Sequence, residues 1–113
     1  MIRLTVTIKA FASVEPSLME ALRYIKNGTQ LEPGCLRCFV WTEPEAIIHY
    51  VAEWETEASL ARHVRSSRFT SLLGVLESAP EQPQVRFDFV TATRGLEYAA
   101  ELRDDLLEQP SKP

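Results

Sequence analysis

Ile2, Leu4, Val6 and Ile8 alternate with Arg3, Thr5 and Thr7, the period-two pattern of a strand with one buried face. The period then lengthens. Ser13 and Pro16 punctuate the chain and open a helix whose apolar stripe is Leu18, Met19, Leu22 and Ile25, with Lys26 near its end and Asn27-Gly28 as a stop. Pro33-Gly34 signals a turn into a second strand, Leu36 to Thr42. Glu43-Pro44-Glu45 interrupts it, and Ile47 to Glu55 resumes as a third strand, so the two form an antiparallel hairpin. Thr56 and Ser59 are a weak cap, but Glu55 and Glu57 suit the positive start of a helix that carries Leu60 and Val64. Ser66-Ser67 breaks that helix, and Phe69, Leu72, Leu73 and Leu76 mark its second segment. After Pro80 and Pro83, Val85, Phe87 and Phe89 alternate with Arg86 and Asp88 in a fourth strand, Gln84 to Thr91.

Strand, helix, hairpin, broken helix, strand is the α+β, ferredoxin-like βαββαβ order: an antiparallel sheet with helices on one face. Residues 1–93 are expected to make this domain. A C-terminal helical extension, 94–108, places Leu96, Ala99, Ala100, Leu106 and Leu107 on one face, and 109–113 reads as a disordered tail.

The sheet face away from the helices should be polar if it meets water. Here it is not. Thr5 and Thr7 are only mildly polar, and the third strand does not alternate: Ile48, Tyr50, Ala52 and Trp54 fall on one side, Ile47, His49, Val51 and Glu53 on the other. In a chain of 113 residues a second dry face implies a second chain. The expectation is a homodimer in which two sheets pack face to face as an α+β barrel.

Composition narrows the partners. A net charge of −4 and a pI near 5.2 argue against nucleic acid, which requires a concentrated basic face. No apolar run approaches a membrane span and the N-terminus lacks a signal peptide's apolar stretch, so a cytoplasmic location is expected. Cys35 and Cys38 form a C-x-x-C, but two cysteines do not complete a zinc site. On a regular strand, residues three apart face opposite sides, so the thiols are expected to be separate, buried and reduced.

Glu53-Trp54-Glu55-Thr56-Glu57-Ala58-Ser59-Leu60-Ala61-Arg62-His63-Val64 resembles the E-W-x-x-x-x-x-L-x-x-H stretch of the antibiotic biosynthesis monooxygenase domain. Ser66-Ser67-Arg68-Phe69 is similar to the Ser-Pro-His-Phe turn that follows it there, and Glu32-Pro33-Gly34-Cys35 to the Glu-x-Gly-Cys before the family's second strand. The resemblance runs from about Ile2 to Thr93. It implies a dimeric barrel and, in many members, oxygenation of quinols or anthrones without metal or flavin; no cofactor is expected. The fold also hosts haem-degrading and isomerising relatives and members without known activity, so fold alone does not choose.

Trp54 matches the Trp of the family's polyketide-modifying oxygenases. Tyr50 stands where they have Asn, and the position of their helical Arg falls near Gly74, with Arg68 the nearest basic residue. The haem-degrading branch uses a strand-one Asn and a helical Trp where this chain has Thr5 or Thr7 and His63, and about Leu73 at its axial His. His63, Trp54 and Arg68 are therefore the candidate catalytic residues, and Tyr50, Trp54, Phe69 and Leu73 the candidate substrate-binding ones. His63 is a candidate general base, set against packing or capping only. His49 is expected at the dimer interface, Arg62, Arg65 and Arg68 as a solvated basic cluster, and Arg86 and Asp88 in structural pairing. Two functions follow: a small cofactor-independent monooxygenase acting on an aromatic or quinol substrate, or a non-catalytic dimeric barrel that binds a small apolar ligand or serves an interaction role.

Overall fold

The computed structural model describes residues 1–108, and of 105–108 the backbone alone; the expected tail at 109–113 and the side chains of Leu106 and Leu107 lie outside the described residues. The elements run β1 (Ile2–Lys9), α1 (Glu15–Thr29), β2 (Cys35–Glu43), β3 (Ile47–Trp54), α2 (Glu57–Val64), α3 (Ser67–Glu77), β4 (Gln84–Phe89) and α4 (Leu96–Glu108). The four strands form one antiparallel sheet in the order β2-β3-β1-β4, the ferredoxin-like arrangement.

Register explains the core. Ile2 lies opposite Trp54 and Phe89, Leu4 opposite Ala52 and Phe87, Val6 opposite Tyr50 and Val85, so these side chains share one face. Ile2, Leu4, Val6, Ile8, Ile48, Tyr50, Ala52 and Trp54 are buried there with Leu18, Met19, Leu22 and Ile25 of α1 and Leu60 and Leu72 of α2 and α3. Burial of each large aliphatic side chain is worth about 1.5–3 kcal/mol, and this layer is what fixes the register.

The opposite face carries Phe39, Trp41, His49 and Val51 around one ion network. Buried Glu53 accepts from Arg3 at 2.8 Å and Arg37 at 3.1 Å. His49 stacks on Trp41 with ring centroids 5.0 Å apart. Its Nε2 is 3.2 Å from Glu43 but lacks hydrogen-bond alignment, so we count that nitrogen as unsatisfied. Arg86 pairs with Asp88 at 2.9 Å.

Two local features, the cap of α2 and the cysteines, differ from expectation. Thr56 and Ser59 are a full capping box, with Ser59 N–H donating to Thr56 Oγ1 at 3.1 Å and Thr56 N–H to Ser59 Oγ at 3.3 Å. The hairpin turn holds Glu45 and Ala46 at φ 70° and 58°. The cysteines are corrected as well. A bulge between Cys35 and Arg37 sets Cys35 opposite Trp54 and Cys38 opposite Ala52, so both thiols fall on the helix-covered face. The extra residue, Leu36, restores to one side what strict alternation would separate.

The covered layer stops short of β4. Val85, Phe87 and Phe89 remain about half exposed, and among the described residues α4 packs substantially against none of the other elements, leaving Leu96, Tyr98 and Leu102 exposed. Among the described residues no helix is long and apolar enough to cross a membrane.

Candidate functional site

Trp54 ends β3 with its side chain turned toward the helices, and the chain enters α2 two residues later through the Thr56–Ser59 capping box. Helical phase then sets Ser59, Leu60 and His63 on the buried side of α2. The His63 ring stacks on Trp54, centroids 4.5 Å apart and planes 29° apart, and meets Phe69 of α3 at 5.5 Å. Ser66 turns the chain between the two helices, its hydroxyl donating to His63 O at 2.6 Å and accepting from Phe69 N–H at 3.3 Å. Trp54 and His63 are both fully buried.

The His63 ring is held from a loop distant in sequence. Its Nδ1 lies 3.0 and 2.9 Å from the two carboxylate oxygens of Glu32, just after α1. Arg68 Nη1 donates to the same carboxylate at 2.8 Å. Two glycines allow this closeness. A Cβ at Gly28 would run into the Arg68 guanidinium, and one at Gly34, where φ is +86°, would run into Ser59. Among the described residues neither His63 Nε2 nor Trp54 Nε1 has a hydrogen-bond partner. An unmade bond on a buried polar atom costs about 1–3 kcal/mol, so two on stacked rings require an explanation.

Tyr50 occupies the same sheet face but a separate polar cluster. Its hydroxyl donates to Thr29 Oγ1 of α1 at 3.5 Å, and the Cys38 thiol is buried on the same sheet face. Burial pushes the Tyr50 hydroxyl well above its ordinary range, and burial likewise pushes the Cys38 thiol up to about 11. Cys35 is raised too, first by burial and then by the Glu32 charge. At neutral pH the cluster is therefore uncharged.

Two open clefts flank β4. One, about 350 Å³, is almost wholly apolar and lies between Leu60, Ala61 and Val64 of α2 and Phe87 and Phe89 of β4. The other, about 400 Å³, runs from Leu73 and Leu76 to Pro83 and Val85. The site residues expected from sequence thus divide. Trp54, His63, Phe69 and Arg68 come together around Glu32; Tyr50 turns to Thr29; Leu73 lines the second cleft. Neither Trp54 nor His63 lines the α2–β4 cleft, although Leu60 and Val64, on either side of His63 along α2, both do. Glu32, Phe87 and Phe89 were not singled out as site residues. The only pointer to Glu32 was its place in the Glu-Pro-Gly-Cys turn. Among the described residues no three His, Cys, Asp or Glu side chains group as metal ligands would.

The family model for antibiotic biosynthesis monooxygenase matches residues 1–72, from β1 into α3, and so spans Glu32, Trp54, His63 and Arg68. The chain belongs to that family. Solved structures agree on the fold. A conserved Methanosarcina mazei Go1 protein superposes with TM-score 0.69 at 23% identity, covering 77% of this chain and 89% of its own. A provisionally named antibiotic biosynthesis monooxygenase from Deinococcus radiodurans reaches 0.75 at 17% identity, covering 84% and 97%. A Mycobacterium tuberculosis protein reaches 0.72 at 12%, covering 83% and 98%. No curated protein matches. Phe87, Phe89 and α4 lie beyond the matched span, so the β4 wall of the apolar cleft is outside what the family model describes.

Proposed function

We propose that this antibiotic biosynthesis monooxygenase family member is a cofactor-independent monooxygenase acting on an aromatic or quinol-type small molecule. The observation that carries the reading is the stacked pair itself: Trp54 Nε1 and His63 Nε2 are buried and, among the described residues, unpartnered. A phenol or enol oxygen offers both what they lack, an acceptor for the indole N–H and a proton for the imidazole nitrogen. The apolar cleft of Leu60, Val64, Phe87 and Phe89 supplies walls suited to a planar hydrocarbon ring.

Removal of the hydroxyl proton leaves an electron-rich anion. Its carbon passes an electron to O2, the radicals combine to a peroxide, and loss of water leaves a carbonyl; a methylene and O2 become a carbonyl and water. The substrate supplies the electrons. Trp54 stabilises the anion and His63 carries the proton.

The half-exposed Phe39 and Trp41, beside Val51 and His49 on the sheet face away from the helices, favour a homodimer joined there as a barrel. The second reading, a non-catalytic barrel that binds an apolar ligand, is favoured by the absence of Trp54 and His63 from the cleft's lining and by the turn of Tyr50 toward Thr29. Oxygen uptake with a panel of hydroquinones and anthrones separates the two. The oxygenase consumes oxygen above autoxidation and His63→Ala loses it; the binder quenches Trp fluorescence with the same compounds and consumes none.

A further inference from the structure

We propose that Glu32, clamped by Arg68 across Gly28, is a positioning residue that holds His63 as its Nδ1–H tautomer and keeps Nε2 as the open lone pair. The inference rests on the reading of His63 as the proton acceptor and adds what orients it.

An ionised carboxylate only accepts, so a hydrogen bond from His63 Nδ1 to Glu32, at 2.9 and 3.0 Å, places the hydrogen on Nδ1. In the neutral ring the other nitrogen is then an acceptor, which a base requires and the opposite tautomer lacks. The carboxylate cannot turn away. Arg68 Nη1 donates at 2.8 Å to Oε2, the oxygen that also meets Nδ1 at 2.9 Å. Its charge balances that of Glu32 locally, so His63 gains an acceptor without a net negative neighbour. The ring is confined on both sides, by Trp54 at 4.5 Å and Phe69 at 5.5 Å. Gly28 opens the lane for the guanidinium, and Gly34 sets the loop against Ser59. Arg68 therefore acts through Glu32 and is itself a positioning residue.

The test uses nitrogen-15 NMR of the full chain with labelled histidine; the sequence has two, and His63→Ala assigns the signals. The wild type is expected to show a protonated Nδ1 and a bare Nε2 for His63. Glu32→Ala is expected to move the hydrogen largely to Nε2. Glu32→Gln, whose amide oxygen Arg68 can hold in the place of Oε2, should restore the Nδ1–H form. In turnover, Glu32→Ala should lower kcat by about tenfold to a hundredfold, the size of loss seen when the outer partner of a metal-bound histidine is removed, with KM little changed and partial rescue in Glu32→Gln. Glu32→Ser, too short to reach the ring, replaces the alanine variant if that chain does not fold. A wild-type Nε2–H ring, or one tautomer shared by wild type and Glu32→Ala, overturns the proposal. So does a shifted tautomer with unchanged kcat. Absence of turnover in the wild type sinks the oxygenase reading alone, because the tautomer measurement still decides the role of Glu32.

Discussion

The indole of Trp54 and the imidazole of His63 stack 4.5 Å apart at an angle of 29°, although one ends a strand and the other lies on the second, last turn of the following helix. The capping box sets where that helix begins, and helical phase then brings His63 back over Trp54. Each ring leaves one nitrogen without a partner among the described residues. The arrangement separates what the pair does for the fold from what it offers a ligand.

Trp54→Phe makes that separation measurable. It keeps an aromatic ring against His63 and removes an N–H that no described protein group uses. Stability should fall by about 1–2 kcal/mol for the smaller ring in a packed core. Turnover should fall at least tenfold, as expected when a hydrogen bond made only to the reacting group is lost. Urea denaturation and steady-state kinetics on one preparation check both; an unchanged rate would leave Trp54 a core residue.

Gly34→Ala should destabilise by about 2 kcal/mol. The substitution forces a side chain into φ +86° and into Ser59 of the capping box. Gly28→Ala differs in kind. An alanine is intrinsically better in the helix by up to about 1 kcal/mol, yet it displaces Arg68. The melting temperature should change little while turnover drops. Calorimetry and kinetics on the two variants test this contrast.

Alkaline pH should weaken the fold through the Cys38–Tyr50 cluster. A thiol in the unfolded chain releases its proton near the ordinary value of 9.0, whereas burial holds Cys38 to about 11. Between these values the folded chain keeps a proton that the unfolded chain has lost, so stability present below pH 9 declines as pH rises toward 11. The loss from Cys38 is on the order of 2 kcal/mol, and Tyr50, also raised, extends it upward. Urea midpoints from pH 8 to 11 should fall, with a shallower first limb in Cys38→Ala. At pH 8, Cys35, the more exposed thiol, should alkylate before Cys38.

The dimer reading rests on the face bearing Trp41, Val51 and His49. Light scattering at micromolar concentration should give twice the chain mass. Trp41→Glu should give the single mass with an unchanged circular dichroism spectrum, because Trp41 is 43% exposed in the lone chain. A wild-type monomer would remove the barrel.

Much of the fold was legible because burial writes a period. The Ile2–Ile8 alternation and the two residue sets of the third strand fall on the faces their spacing assigns. The exceptions are also physical. Counting by twos separated Cys35 from Cys38, and one inserted residue at the bulge put them together. Thr56 and Ser59 looked a weak cap because the third position has Ser where Glu or Gln is usual, yet its hydroxyl closes the box. Within the site, Trp54 and His63 showed through a local motif. Glu32 did not, since a charged loop residue 31 positions from His63 reads as solvated until the chain folds.

The most direct measurement is turnover of an anthrone under 18O2 in chelator-treated buffer. One 18O atom is expected in the new carbonyl and the other in water, with incorporation lost in His63→Ala that still folds. A carbonyl without label, or labelling no faster than autoxidation across the hydroquinone and anthrone panel, would contradict it.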